Sequence, residues 1–117
     1  MTPATSSARR APVFAALGDP TRLRLVERLG RHGPASITTL TAGTALTRQA
    51  VTKHLGVLAA AGLVHDERRG REHLWALDAA PLRDAAEWLE QYRVEWESRL
   101  DRLEAFLAEP SDPQDTP

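Results

Sequence analysis

Apolar residues recur at helical spacing through the first half of the chain, and capping residues mark the helix ends. A short, alanine-rich segment, residues 9–17, predicts the first helix. The second helix begins at Asp19 and Pro20, because Asp is a favoured N-cap and Pro is favoured at the first helical position. Gly30 predicts its end. The apolar face of this helix consists of Leu23, Val26 and Leu29.

Two further helices, separated by a short turn, are predicted in residues 36–61. Ser36 is the expected N-cap of a brief helix that Gly43 ends. Thr47 is the expected N-cap of a longer helix, which Gly62 follows as the C′ residue. Two helices joined by a short turn with a glycine are typical of the helix-turn-helix motif. The apolar positions of the longer helix are Val51, Leu55 and Leu58.

After Gly62 the apolar period changes to two, which is typical of strands. Residues 63–65 and 74–77 flank a charged stretch, and Arg69 and Gly70 are the expected turn of a β-hairpin. A hairpin that directly follows a helix-turn-helix motif is a wing. The pattern therefore predicts a mainly α fold with a small β-hairpin, which is a winged helix-turn-helix.

Pro81 opens the longest predicted element, a helix that continues to Pro110. Its apolar positions are separated by steps of three and four residues, over roughly 40 Å at about 1.5 Å per residue. The preceding domain is too small to cover such a stripe, so part of the stripe should contact another chain. The stripe consists of Leu82, Ala85, Leu89, Tyr92, Trp96, Leu100, Leu103 and Leu107.

The composition is that of a folded protein, with 42% hydrophobic and 26% charged residues among 117. The absence of cysteine excludes disulfides, thiolate metal sites and cysteine nucleophiles. No apolar run approaches the ~20 residues of a membrane span, and the first residues lack the apolar segment of a signal peptide. We therefore expect a cytoplasmic protein with no membrane partner.

The net charge of −1 hides an uneven distribution of charge along the chain. Residues 1–77 contain eleven Lys and Arg against five Asp and Glu, whereas residues 78–117 contain four against eleven. The basic first part favours a polyanion as its partner.

The polar face of the helix over residues 47–61 has the chemistry of a recognition helix. Arg48 and Thr52 are i,i+4 neighbours, as are Gln49 and Lys53, so the four side chains form a compact panel. Arg can bind guanine bidentately, Gln can bind adenine, and Lys and Thr can bind phosphates or bases. An ordinary solvated helix face is the alternative. The helix-turn-helix before the panel and the wing after it favour DNA.

The predicted wing adds Arg68, Arg69 and Arg71 around Gly70. Three guanidinium groups at one turn repel one another, and a phosphate backbone or a narrow minor groove would relieve that repulsion. A solvated turn is again the alternative, because neighbouring acidic residues partly neutralise the arginines.

Two segments resemble the ArsR family of winged-helix repressors. Residues 14–25, which read Phe-Ala-Ala-Leu-Gly-Asp-Pro-Thr-Arg-Leu-Arg-Leu, are similar to the opening motif of that family. Residues 47–64 resemble its recognition helix and the exit into its wing. The resemblance covers residues 11–77, and residues 81–103 are similar to a metal-independent branch of the family.

The resemblance implies a homodimeric repressor that binds a double-stranded DNA operator with two-fold symmetry. Lys53, His54 and the wing arginines would bind phosphates, while Arg48, Gln49 and Thr52 would select bases. The complete set of expected DNA-binding residues is Thr47, Arg48, Gln49, Thr52, Lys53, His54, Arg68, Arg69 and Arg71. The first and last helices of the family form its dimer interface, which here implies Phe14, Leu82, Leu89, Tyr92, Trp96, Leu100, Leu103 and Leu107.

The chain then divides into four expected parts. Residues 1–8 and 110–117 are rich in Pro, Ser, Thr and Asp and are expected to be flexible tails. Residues 9–78 are the expected winged helix-turn-helix DNA-binding domain, and residues 79–109 are the expected C-terminal dimerisation helix. One departure from the family is Gly56, where relatives often carry a long polar or basic side chain.

Many relatives sense metals, but the residues for that role are missing. Residues 36–44 contain no cysteine, and no histidine follows Asp78. His65 and His73 could face each other across the hairpin, but two ligands do not make a structural metal site. We expect no metal and no cofactor. A small-molecule effector, if one exists, is hypothesised to bind in the groove between the last helices, near Trp88 and Trp96.

Two other classes of protein fit the sequence less well. An enzyme needs reactive groups, and the chain has no cysteine, no serine beside a plausible base, no P-loop and no zinc-protease motif. A winged-helix protein–protein interaction module without sequence-specific DNA binding would present an apolar or acidic recognition face. The panel of Arg48, Gln49, Thr52 and Lys53 favours DNA instead.

Overall fold

The computed structural model describes the backbone of residues 3–108 and the side chains of residues 8–108. The strands form an antiparallel sheet in the order β1-β3-β2, and the rest of the fold is mainly helical. This architecture confirms the predicted winged helix-turn-helix with a long C-terminal helix. The elements are α1 (Pro3–Leu17), α2 (Pro20–His32), β1 (Ala35–Ser36), α3 (Ile37–Ala42), α4 (Arg48–Ala60), β2 (Val64–Arg69), β3 (Glu72–Leu77) and α5 (Ala79–Ala108).

The predicted capping residues start three of the helices. Oδ2 of Asp19 accepts a hydrogen bond from the amide of Arg22 at 3.0 Å, so Asp19 is the N-cap of α2. Ser36 and Thr47 cap α3 and α4 in the same way, each accepting a bond of 3.1 Å from the amide three residues further along. Each cap satisfies a backbone N–H that the helix leaves without a partner.

The chain divides into two compact units, and the division falls after Ala85. The core lies in the first unit and includes the apolar face that the sequence predicted for α4. Burial of these aliphatic side chains is the main driving force for folding of this unit. The fully buried side chains with the largest volumes are Leu40, Val51, Leu55, Leu58 and Leu63.

The second unit, as far as the structure describes it, consists of residues 86–108 of α5. Six apolar side chains of the predicted stripe are between 44% and 71% exposed. Arg93 forms ion pairs with Glu90 and Glu97, which lie three and four residues away on the helix. None of the described helices is long and apolar enough to cross a membrane. The six exposed residues are Leu89, Tyr92, Trp96, Leu100, Leu103 and Leu107.

Three predicted helix limits are wrong. Helix α5 begins at Ala79 and not at the predicted Pro81. The first helix begins at Pro3 and not at residue 9, so it covers most of the segment predicted as the N-terminal tail. Helix α2 continues past Gly30 to His32, where Gly33 caps it at a φ of 80°. The start of α1 has no apolar periodicity, so no pattern in the sequence marks it. A single glycine inside a helix costs only about 1 kcal/mol, so Gly30 is not sufficient to end α2. The predicted tail at residues 110–117 lies outside the described residues.

The sheet also differs from the sequence prediction in two details. Strand β1 pairs with β3 through Ala35 and Ser36, and a two-residue strand is too short to show a period of two. The hairpin turns at Gly70 and Arg71, one residue later than predicted, because Arg69 pairs with Glu72 across the turn. Gly70 has a φ of 63°, a conformation that glycine adopts without steric strain.

Candidate nucleic-acid interface

Helix α4 separates its apolar and polar side chains cleanly. Val51, Leu55 and Leu58 have no exposed surface, so one face of the helix is fixed against the core. The side chains predicted to contact DNA from the opposite face are exposed, with the exception of His54, which is half-buried. A buried face and an exposed, hydrogen-bonding face are the features of a helix that enters a major groove. The exposed residues are Thr47, Arg48, Gln49, Thr52 and Lys53.

Local hydrogen bonds decide what two of these side chains can offer to a ligand. The hydroxyl of Thr52 donates to the carbonyl oxygen of Arg48 at 2.8 Å, so its proton is used inside the helix. Its oxygen is left as an acceptor, which suits the exocyclic amino group of adenine or cytosine. Oγ1 of Thr47 accepts from the amide of Ala50, and its proton remains available to a phosphate oxygen.

Arg48 lies at the first position of α4 and is exposed. Its Nη1 atom donates to Oγ1 of Thr38 on α3 at 3.3 Å. This hydrogen bond engages one of the five N–H donors of the guanidinium group, so a bidentate contact with guanine stays possible.

His54 is packed against the start of α2. Its Nδ1 atom lies 3.3 Å from Nη1 of Arg22 and 3.8 Å from Oδ2 of Asp19. Because a guanidinium group can only donate, the contact with Arg22 requires Nδ1 as acceptor and leaves the ring proton on Nε2. Nε2–H is therefore the donor that His54 can offer to a phosphate.

Arg22 links this histidine to two other parts of the domain. Its Nε atom donates to the carbonyl oxygen of Ala16 at 2.7 Å, at the end of α1. The hydrogen bond from the amide of Arg22 is the main cause of a lowered pKa of the Asp19 carboxyl, and the positive charge of the Arg22 guanidinium adds to it against the opposing effect of desolvation. Sequence reasoning missed Arg22 and Thr38 as neighbours of the site, since both contacts join separate helices.

The wing carries its arginines at and beside the turn. Arg68, Arg69 and Arg71 are all exposed. Nη2 of Arg69 lies 2.9 Å from Oε1 of Glu67, whereas Arg68 and Arg71 have no ion pair among the described residues. Two of the three guanidinium groups are thus available to a phosphate backbone without breaking an existing contact.

The two histidines of the wing do not face each other. The strand register pairs His65 with Ala76 and His73 with Arg68. Nε2 of His73 lies 2.8 Å from Oδ2 of Asp66, and this hydrogen bond lowers the pKa of the Asp66 carboxyl. Within residues 3–108, no group of three or more His, Asp or Glu side chains could hold a metal ion.

The predicted dimer residues lie in two different surroundings. Phe14 and Leu82 are half-buried and pack against the core of the first unit. The other six are the exposed residues of α5 named above. Gly56 is exposed, and an added Cβ would meet nothing within 4 Å, so packing does not require glycine at this position.

An exposed, polar recognition helix, a helix-turn-helix that supports it and a basic wing define a DNA-binding transcriptional regulator. The model of a helix-turn-helix domain matches residues 17–67. The chain is 34% identical over 85 residues to the HTH-type transcriptional regulator YuzN of Bacillus subtilis, covering 67% of this chain and 92% of that protein. It is 40% identical over 78 residues to the HTH-type transcriptional regulator Rv2034 of Mycobacterium tuberculosis, covering 65% and 72%.

Comparison with a solved structure identifies the family of this chain. The fold is similar to that of an ArsR-like transcriptional regulator from Rhodococcus sp. RHA1, with a TM-score of 0.73 and 38% identity. The similarity covers 90% of this chain and 97% of that one. The chain belongs to the ArsR family of transcriptional regulators.

Proposed function

We propose that the chain acts as a homodimeric repressor on an operator with two-fold symmetry. Helix α4 enters the major groove, and the wing lies on the phosphate backbone or in the adjacent minor groove. The observation that carries this proposal is the division of α4 into a fully buried apolar face and an exposed polar face. Because its partner is genomic DNA, we infer that the protein acts in the cytoplasm.

Base selection is assigned to the exposed side chains of the first two turns of α4. Arg48 donates two hydrogen bonds to guanine. Gln49 donates one hydrogen bond to adenine and accepts one from it. Thr52 acts as an acceptor for a base amino group, because its own proton is held by the carbonyl oxygen of Arg48. These three side chains supply the sequence preference.

Affinity is assigned to phosphate contacts around the same helix. Thr47 offers its hydroxyl proton, Lys53 its ammonium group and His54 its Nε2–H. The wing adds Arg68, Arg69 and Arg71, and the release of counterions from the backbone favours such contacts at low salt. The pattern predicts a steep loss of affinity as the salt concentration rises.

A second copy of the chain is the proposed partner of α5. Six large apolar side chains on one stripe are about half exposed or more, which is unusual for a surface that stays in water. The same stripe from another copy would cover them by coiled-coil-like packing. We propose that Phe14 and Leu82 extend this interface beside the core of the first unit.

The test is selection of bound fragments from sheared genomic DNA of the host, with excess competitor DNA at physiological salt. We expect a few enriched sites with symmetric half-sites, each bound by a dimer in fluorescence anisotropy. A folded dimer that enriches no sequence would instead favour a winged-helix module for protein–protein contact. An effector in the groove between the last helices stays a prediction, and no catalytic role is proposed.

A further inference from the structure

A cavity of about 440 Å³ lies between α2 and the turn that joins α3 to α4. Arg24 and Arg28, one helical turn apart on α2, line the cavity from one side. The turn closes it from the other side with residues 42–46. Leu25 and Leu40 are buried beneath the cavity, and its exposed apolar surface comes from Ala42, Ala45 and Leu46. The lining therefore combines two cations with apolar side chains.

The guanidinium group of Arg28 rests on the turn itself. A Cβ added at Gly43 would collide with Nη1 of Arg28 and would lie 3.3 Å from its Cζ. Glycine at this position therefore lets the guanidinium approach the backbone. Within the part of the chain that the structure describes, neither Arg24 nor Arg28 has a hydrogen bond or an ion pair. The cavity thus holds two unpaired positive charges.

No acidic side chain lines this cavity. Glu27 is the acidic residue of α2, and it lines a neighbouring depression that Arg24 and Arg28 also border. Among the described residues, Glu27 forms no ion pair with either arginine. The positive charge of Arg24 and Arg28 is therefore not cancelled inside the cavity, and an anion is the complementary ligand.

We propose that this cavity binds a small carboxylic acid with an apolar body, such as an aromatic or short-chain acid. The carboxylate accepts charge-assisted hydrogen bonds from Arg24 and Arg28, for which guanidinium geometry is well suited. The apolar body lies against Ala42, Ala45 and Leu46 and removes part of their exposed surface from water. A DNA phosphate would use the arginines but leave this exposed apolar surface without a role, so a small amphipathic acid accounts for more of the lining.

This site is separate from the effector groove that the sequence predicted near the last helices. It also does not depend on the proposed repressor function, because ligand binding can be measured without DNA. The ligand would contact residues 44–46, which immediately precede Thr47, the N-cap of α4.

The experiment is a titration of the isotope-labelled full chain with benzoate and with hexanoate, followed by amide chemical shifts in NMR. We expect saturable shifts at residues 24–28 and 43–46 with at least one of the two acids. Benzamide, the neutral analogue of benzoate, and inorganic phosphate should each bind at least about tenfold more weakly. Absence of saturable shifts with both acids would overturn the proposal, as would equal binding of benzamide or phosphate.

Matched variants locate the ligand. Arg28→Gln should weaken binding about tenfold or more, because it removes a charge-assisted hydrogen bond. Gly43→Ala should also weaken it, since the added methyl group displaces the Arg28 guanidinium. Arg31→Gln, with the same loss of charge on α2 but outside the cavity, is the control and should change binding by less than about twofold.

The thermal unfolding of each variant is measured first, to show that the variant folds. If Gly43→Ala does not fold, Arg28→Gln alone tests whether the acid binds in this cavity. If Arg31→Gln weakened binding of the acid as much as Arg28→Gln does, the assigned site would be wrong. The proposal would also be overturned if Arg24→Gln and Arg28→Gln left acid binding unchanged and only reduced the salt dependence of DNA binding. The arginines would then serve DNA phosphates.

Discussion

The Nδ1 atom of His54 lies 3.3 Å from Nη1 of Arg22, and this contact joins the proposed recognition helix to the start of α2. Nε of Arg22 also donates to the carbonyl oxygen of Ala16 at the end of α1, while the backbone amide of Arg22 donates to the N-cap carboxylate of Asp19. One side chain therefore connects three helices at the edge of the proposed DNA-binding surface. The position of His54 is fixed before DNA arrives, which lowers the entropy cost of any phosphate contact it makes.

The cluster around Asp19 predicts a dependence of stability on pH. The pKa of the Asp19 carboxyl in the folded chain is lower than its ordinary value of 3.8. Its stabilising effect is therefore present above that value and is lost as the pH falls through the lower folded-state pKa. Asp19→Asn keeps a capping side chain but does not titrate.

We expect the difference in Tm between the wild type and Asp19→Asn to be largest near pH 6 and to shrink towards pH 3. Thermal unfolding by circular dichroism measures it. A difference that stays constant over this range would contradict the assigned role of the carboxylate.

Arg48→Ala should weaken operator binding by about 1–3 kcal/mol and relax the preference at one base pair of each half-site. The reason is the loss of a bidentate contact with guanine. Fluorescence anisotropy on the selected operator and on single-base variants measures both effects. Arg31→Ala, an exposed arginine at the end of α2, is the control. An equal loss on random DNA would show that Arg48 binds phosphate and not a base.

Thr52 offers a sharper test, because its hydroxyl proton is held by the carbonyl oxygen of Arg48. Thr52→Val keeps the shape of the side chain but removes the acceptor, so it should weaken operator binding by about 1 kcal/mol. Thr52→Ser keeps the acceptor and should bind nearly as the wild type does. Equal affinities for the Val and Ser variants would rule out a hydrogen bond from the base.

The apolar stripe on α5 predicts that a single charge disrupts the dimer. Trp96→Glu or Leu100→Glu should produce monomers in light scattering, because a carboxylate would be buried in the proposed interface. Val94→Glu is the matched control, since Val94 and Trp96 are both 55% exposed but Val94 lies off the stripe. A dimer that survives the changes on the stripe would require another interface.

Gly56→Ala should raise the free energy of unfolding by up to about 1 kcal/mol, because glycine at an exposed position inside a helix is unfavourable. An added Cβ at this position meets nothing within 4 Å, so no clash opposes the gain. Urea unfolding measures the change. Gly70→Ala is the contrasting control and should lower stability, since Gly70 has a φ of 63°.

Local signals in the sequence were sufficient for most of the fold. Asp19, Ser36 and Thr47 cap the helices that they were predicted to cap, because an N-cap depends on residues within one turn. The buried face of α4 follows directly from its apolar spacing. The two-residue strand β1 and the early start of α1 have no such signal, so they became visible only in the structure.

The surroundings of the candidate site were less accessible from the sequence. Arg22 and His54 are 32 residues apart, and their contact depends on how α2 packs against α4. The hydrogen bond from Thr52 to the backbone is local, yet an exposed threonine in a helix does not reveal which way its proton points. The exposure of the polar side chains on α4 was predictable from their spacing, whereas their free donors and acceptors were not.

The division of α4 has a consequence for how such regulators diverge. Val51, Leu55 and Leu58 have no exposed surface, and Thr47 starts the helix, so these positions are constrained by folding. The exposed side chains at positions 48, 49 and 52 carry little of the stability of the domain. With the base contacts proposed for these three positions, a gene duplicate would acquire a new binding site through changes there, without first accumulating compensating mutations in its interior.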